Sequence, residues 1–347
     1  MTSRGFSPHK GRLPSRGWAS ADDWVSLHVH HRGDLDLLLA RAVTPLVRGL
    51  EDAGLLRGWF FLRSGEGGPH LRLRLLPAQP VQIGAVRRAA EGRLAAYART
   101  HEPRAGGRSV WTPDGIEEVP YVREPDWSGS GEAVTAVERH FAQSSNLALA
   151  LLAGAPTPQA RMNVALGHLT MALAASGLSI AECARLADPQ VILARPRPSE
   201  RRRIAGEAQA TYRELGASLR EQTSRLWAAG ARRRSVGVPD DAHPAAHCAR
   251  GTGPAAAWSH SVRTLAARLT ALAPERTYPP VGPGPYCPDA AWAGIRRPPD
   301  AAVAAHHVLV RAAQQFANRV GLGLQQETYV RLLLAQALHD LAGPGRP

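Results

Sequence analysis

The sequence predicts an α+β fold: a small mixed or antiparallel sheet near the N-terminus, with a large helical portion behind it. Three observations carry this. Val25, Leu27 and Val29 alternate with Ser26, His28 and His30, and Leu71, Leu73 and Leu75 alternate with His70, Arg72 and Arg74, which is the period of strands with one buried face. Helix-periodic stretches follow each of these strands. From Gly131 onward the chain becomes Ala- and Leu-rich at helical spacing, with Pro- and Gly-rich breaks.

Residues 1–22 are rich in Ser, Gly, Pro, Arg and Lys and are expected to be a disordered basic arm, leaving 23–347 as one domain. Residues 24–31 read as a strand. Asp34 is placed to cap a helix over 35–55, with Leu37, Leu38, Ala42, Leu46 and Leu50 at helical spacing, and Pro45 should kink or divide it. A second strand (59–63), a Gly-rich turn (64–69) and a third strand (70–75) make a hairpin. Residues 83–100 form a helix with Arg87, Arg88 and Arg93 towards solvent, and 102–130 is irregular with one strand around 118–123. Helices are expected over 131–153, 157–176, 199–229 and 254–273, with breaks at 188–198 and 237–253. Residues 274–299 are too Pro-rich for a helix, yet Tyr278, Tyr286 and Trp292 suggest an ordered loop packed over something.

Asp300 should cap the next helix, which runs to Val320. Ala302, Ala305, Leu309, Ala312, Ala313, Phe316 and Val320 make its buried stripe, and His307, Arg311, Gln314 and Asn318 its opposite side. A closing helix spans 324–341.

At 347 residues the chain is long enough to bury a substantial core. Its formal charge of +13, almost all from Arg, favours an acidic partner. Arginines are scattered and aromatics few, which argues against nucleic acid. Three cysteines without paired spacing fit a reducing cytosol rather than a disulfide framework. The N-terminus has no apolar signal region and no run is long enough to span a membrane, so a cytoplasmic location is expected. His243, His247 and Cys248 have metal-like spacing but no second paired cluster, so no metal and no cofactor are assigned. Nothing near Cys248 or Cys287 would lower a thiol pKa. P-loop, Rossmann and Gly-x-Ser-x-Gly motifs are absent.

The alternation in HLRLRL places His70, Arg72 and Arg74 on one rigid face, which is either an ordinary solvated face or a site for something anionic. Residues 24–75, opening WVSLHVHH and closing GWFFLRSGEGGPHLRLRL, resemble the start of the small C-terminal lantibiotic-dehydratase domain, also called the thiopeptide-type bacteriocin biosynthesis domain. Residues 119–152 look like that family's next block, and 306–338 like its last, where Asn318-Arg319 matches an "HM-x-x-NR" pattern. In the family this domain eliminates glutamate from glutamylated Ser or Thr. The resemblance implies arginines that take the departing carboxylate and a His that abstracts the α-proton.

This sequence departs from the pattern where that chemistry sits. Gln314 stands where the His is expected, and an amide is no base. An Arg-Tyr-Gly-Gly turn has become Trp127-Ser128-Gly129-Ser130, although Arg123 and Glu124 remain upstream. Among relatives of this domain, the changes fit the thiopeptide pyridine synthases, which join two dehydroalanines of a precursor peptide by a formal [4+2] aza-cycloaddition. Such an enzyme needs near-attack positioning and hydrogen bonding more than a strong base.

The resemblance implies catalytic roles for Tyr286, Gln314, His307, Arg72 and Arg74, and substrate contacts from Trp59, His70, Arg123 and Asn318. Asn318 and Arg319 have a structural alternative, tying the helix end to the sheet. The implied partner is a ribosomally made precursor peptide with an acidic leader and an azole- and dehydroalanine-bearing core. Two other readings stay open: a glutamate-eliminating subunit in which His306 or His307 replaces the missing base, and a non-catalytic precursor-binding scaffold.

Overall fold

The computed structural model describes residues 19–100, 115–123, 131–231, 253–272 and 301–343. The N-terminal part contains β1 (Val25–His30), α1 (Leu35–Leu38), α2 (Thr44–Asp52), β2 (Leu56–Ser64), β3 (His70–Pro77), α3 (Ile83–Thr100) and β4 (Gly115–Glu118). The helical part contains α4 (Glu132–Leu152), α5 (Pro158–Ala175), α6 (Ile180–Leu186), α7 (Pro189–Ala194), α8 (Pro198–Ala231), α9 (Pro254–Leu272), α10 (Ala301–Arg319) and α11 (Leu324–Ala342). This is the α+β arrangement that the patterning predicts.

The strands form one sheet in the order β2-β3-β1-β4, and every neighbouring pair is antiparallel. Leu27, Leu73 and Phe61 line up across three strands and are fully buried, so the leucine face is core, as its period requires. Helices α2 and α3 pack against the sheet. The other face carries Ser26, His28 and His30 beside His70, Arg72 and Arg74. It is not an ordinary solvated face: His70 and Arg74 are buried.

Pro45 divides the first helix by widening it. Leu39–Val43 forms a π-helical turn between α1 and α2, and the Thr44 N–H donates five residues back, to the Leu39 carbonyl. Pro45 has no N–H for the Arg41 carbonyl four residues before it. That carbonyl accepts instead from Arg93 Nη2 of α3, at 3.0 Å. Asp34 caps α1 by accepting from the Asp36 N–H.

Several boundaries differ from expectation. Residues 19–22, assigned to the basic arm, are partly ordered, with a 3-10 turn over Ala21–Asp23. The strand expected at 118–123 is β4 and ends at Glu118; Pro120 has no N–H to extend the ladder. The expected break at 188–198 holds the short helix α7, capped by Asp188. The helix α6, not anticipated, starts at Ser179, whose hydroxyl accepts from the Glu182 N–H. Tyr286, the Pro-rich loop, His243, His247, Cys248, Cys287 and Asp300 lie outside the described residues. No single helix among the described residues is long and apolar enough to cross a membrane.

One polar junction ties sheet to bundle. Asp36 takes Arg63 of β2 on one carboxylate oxygen and Arg161 of α5 on the other, the latter at 2.6 Å. Arg161 Nη1 continues to the Val320 carbonyl at 2.8 Å, and Arg63 Nε to the Arg319 carbonyl at 2.9 Å. Two cations therefore hold the last carbonyls of α10. Between them the Asn318 amide pairs with the Arg63 backbone in both directions, each bond 2.9 Å, and so caps the outer edge of β2. The chain leaves α10 through Gly321, at φ +86°, where an added Cβ would stand 2.9 Å from Arg161 Nη1.

The Asp36 carboxyl is pushed up by burial, but hydrogen bonds from Arg161 and Arg63 outweigh that and hold it below its usual value of 3.8. Asp36→Asn removes the shared anion from two largely buried guanidinium groups, and a loss of about 2–4 kcal/mol is expected from urea unfolding. A carboxyl with a depressed folded pKa contributes fully above its unfolded pKa. The gap between wild type and variant should therefore be complete above about pH 4 and close as the pH falls further.

Candidate functional site

The polar face of β3 opens into a cleft between the sheet and the bundle. Its walls are Phe60 and Leu62 of β2, Arg72 and Arg74 of β3, Tyr121 and Arg123 after β4, Glu138 and Phe141 of α4, and Gln315 of α10. The register explains the first four, since Phe60 lies opposite Arg74 and Leu62 opposite Arg72, all on one face. The cleft holds about 60 Å³, enough for a small polar group. A larger cavity, about 260 Å³, lies between β1, β4 and α3, but its lining is mainly apolar.

Each cation in the cleft is held differently. Arg74 donates through Nη1 to the carbonyls of Leu27 and Leu73, both at 3.2 Å, and stands 5.5 Å from the centre of the Tyr121 ring. Burial pushes its guanidinium down to about 10, so it remains charged at neutral pH. Arg72 pairs at 2.8 Å with Glu66 from the hairpin turn, an exposed carboxylate that an arriving anion can displace at little cost. Arg123 makes a bidentate contact with Glu138, at 2.7 and 3.0 Å, and its Nη2 also reaches the Ala19 carbonyl.

Among the described residues, Glu138 is the one carboxylate in the wall. It also accepts from the Tyr121 hydroxyl at 2.9 Å. Burial pushes its carboxyl upward, and the bonds from Arg123 and Tyr121 offset only part of that. For Arg123 burial works downward, but the contact with Glu138 prevails and raises it, because the guanidinium keeps some solvent and the carboxylate almost none. Burial also raises the Tyr121 phenol, with the Glu138 charge adding to it, so the hydroxyl stays protonated and gives its proton to Glu138.

Of the residues expected in the site, Arg72, Arg74 and Arg123 come together. Trp59 does not join them. It lies opposite Leu75 on the leucine face, is 1% exposed and donates to Glu51, so its substrate role is replaced by a core role. Asn318 is engaged by the Arg63 backbone. Gln314 is half-buried and outside the wall, whereas its neighbour Gln315 lines it. His307 lies eight residues before Gln315, about 12 Å along the helix axis, and burial lowers it to about 4. His70 is buried against His28 and His30, beside the cleft rather than in it. Tyr121, Glu138 and Gln315 were missed. Glu138 carried a signal: it falls on the apolar stripe of Val134, Val137 and Phe141, where a lone carboxylate needs a partner.

Behind Phe141 lies a second polar group. Arg319 is fully buried, donates to Ser145 Oγ at 3.0 Å and stands 4.5 Å over the Phe141 ring. Ser145 in turn accepts from the Phe61 N–H, so it links β2 to α10 through α4. His140 is hydrogen-bonded to Ser261, and His168 stacks on Trp258 at 4.4 Å. Burial lowers both imidazoles to about 3, so they are neutral packing groups.

An antiparallel sheet with a cationic inner strand, closed by a helical bundle, defines the class of domain to which the site belongs. The chain matches the family described as the lantibiotic biosynthesis dehydratase C-terminal domain over residues 24–338, and it belongs to that family. Its fold is similar to that of the pyridine synthase TbtD from thiomuracin biosynthesis (TM-score 0.67, 17% identity, covering 92% of this chain and 99% of that one). It is also similar to TsrL (TM-score 0.64, 21% identity, 91% and 94%). The tRNA-dependent lantibiotic dehydratase MibB from Microbispora sp. 107891 shares the fold at TM-score 0.52 and 18% identity; 93% of this chain matches 28% of that longer protein. No curated protein sequence matches.

Glu138→Gln should lower the unfolding free energy by about 2–3 kcal/mol, read as a lower urea midpoint at unchanged slope, because Arg123 loses its counter-charge and one of its two acceptor oxygens. Trp59→Phe should cost about 1 kcal/mol, the value of one hydrogen bond and a little packing, and leave peptide binding unchanged.

Proposed function

We propose that this chain acts in thiopeptide biosynthesis on a modified precursor peptide, as a pyridine synthase. Two dehydroalanines are joined in a formal [4+2] aza-cycloaddition. One, as its imidic-acid tautomer, supplies the 2-azadiene; the other is the dienophile. Loss of water and of the leader peptide then gives the pyridine and the macrocycle. The observation that carries this reading is the character of the cleft. Among its described lining residues are three guanidinium groups and an amide, while the phenol and Arg123 are engaged with the carboxylate. Such a wall can hold and polarise amide oxygens, which suits positioning and tautomer support. None of these described residues is a free base for α-proton abstraction. The fold likeness to a pyridine synthase over nearly the whole of both chains supports the same choice.

Gln315 takes the role first considered for Gln314, as the α10 amide nearest the reacting peptide bond. Arg72 and Arg74 grip carbonyl oxygens at the mouth. Tyr286 remains the proposed proton donor for aromatisation, with His307 a supporting residue outside the cleft. The formal charge of +13 suits an acidic leader.

The test is mass spectrometry of the full chain incubated with a dehydrated, azole-bearing precursor and, in parallel, with a glutamylated one. A macrocycle with released leader is expected from the first and no change from the second. Glutamate loss from the second would instead mean an eliminase, and binding without mass change in either a scaffold. Gln315→Ala and Tyr286→Phe should each slow turnover on the order of 10²-fold, as for loss of one hydrogen-bond donor to a developing charge. Gln314→Ala should stay close to wild type.

A further inference from the structure

The polar face of the sheet carries a group that the cleft does not use. His28 and His30 are two apart on β1 and share a face. The antiparallel registers set His70 of β3 opposite His30, and Glu117 of β4 opposite His28. The His70 ring centre lies 4.7 Å from that of His28 and 4.8 Å from that of His30. Glu117 Oε2 is 3.7 Å from His30 Nε2. One ligand atom each from His28, His30 and Glu117 fall within 4.8 Å of one another, a group of three that the His70 ring flanks without joining.

His70 adds an independent observation. It is 2% exposed, and its Nδ1 lies 2.9 Å from the Gly68 carbonyl, which can only accept. Nδ1 therefore carries the proton and Nε2 a bare lone pair. That Nε2 is buried and makes no hydrogen bond among the described residues. A ring fixed by a backbone carbonyl on one nitrogen, with the other left open, is how metal-ligating histidines are held.

We propose that His28, His30, His70 and Glu117 bind one divalent transition-metal ion of the zinc class, through three imidazole nitrogens and one carboxylate oxygen. The donor set excludes calcium and magnesium, which take oxygen ligands. Tetrahedral zinc with bonds of about 2.0–2.1 Å needs its ligands about 3.4 Å apart, so the group must contract. Glu117, with a side chain 65% exposed, is free to move inward. Two cations oppose the ion: Arg74 Nη2 is 3.5 Å from His28 Nε2, and Arg72 lies opposite His28. The affinity is therefore expected in the micromolar range. The ion would fasten β4, four residues long and paired along β1, to the two central strands. This role is independent of the reaction proposed above.

The test uses the full chain, stripped with a chelator and titrated with Co²⁺ followed by visible absorption, and with Zn²⁺ followed by calorimetry and thermal unfolding. One equivalent of Co²⁺ with tetrahedral bands is expected, and Zn²⁺ should raise the unfolding midpoint by several degrees. His30→Ala and Glu117→Gln should each weaken binding at least tenfold and remove that rise. Glu117→Gln alters an exposed side chain, so it reads the site even where a histidine variant folds poorly. A second equivalent, lost in His243→Ala/His247→Ala, leaves the proposal standing if the first is lost in His30→Ala. No uptake, or uptake that survives both sheet variants, overturns it.

Discussion

The structure turns on a single carboxylate. Asp36, in the first turn after β1, holds Arg63 at the end of β2 and Arg161 at the start of α5. Those two guanidinium groups reach past it to the last carbonyls of α10. Three segments distant in sequence thus share one charge, and none can shift without leaving a buried charge unpaired. The junction also fixes the rotation of α10 about its own axis, because Asn318 must meet the Arg63 backbone while Arg319 points to Ser145 and Phe141. Once Asn318 and Arg319 are pinned, Gln315, one turn earlier, faces the cleft.

That rotation explains what the sequence could and could not reveal. Gln314 and Gln315 lie four and three residues before Asn318, so both flank it on a helical wheel. A wheel drawn from spacing alone places the apolar stripe but not its angle to a neighbour. Almost every turn of α10 is packed on more than one side, which blurs the stripe further: Ala304, Val308 and Arg311 are buried as well as the expected residues, while Ala302 is only half-buried. Choosing between two adjacent glutamines needs the long-range anchors, which no local pattern encodes. The sheet was easier. Its period of two is set by the chain itself, so the leucine face was legible from HLRLRL. Trp59 was misplaced because its parity depends on the hairpin register; the pairing with Leu75 turns it inward.

The opposite face of β3 was ambiguous for a related reason. Alternation says only that His70, Arg72 and Arg74 point the same way. Whether that direction is water or wall depends on α4 and on the segment after β4. Tyr121 and Phe60 meet at 6.0 Å and Phe60 and Phe141 at 5.4 Å, an aromatic floor that buries the stem of Arg74 while leaving its head charged. The same closure gives Glu138 its burial, and hence its need for Arg123. One packing event converts a row of charged side chains into a cleft with directed donors.

Electrostatics bears on the choice between cyclisation and elimination. Elimination of glutamate needs a base with access to the α-carbon. The histidines next in line on α10 are His306 and His307. His306 is buried against Cys183, with its Nδ1 3.6 Å from the sulfur, and burial first, then the adjacent His307, lowers it to about 3. Burial lowers His307 to about 4. Both rings are neutral at neutral pH, but their low basicity comes from desolvation, which resists the very imidazolium that proton abstraction would create. His306, buried in this way, is a packing group rather than a base, while His307 is half-buried. Arg319, charged and fully buried one turn beyond Gln315, adds a cation in the interior that further opposes a second positive charge nearby. Donors fixed in this way suit the cyclisation proposed above, a reaction that gains most from held geometry.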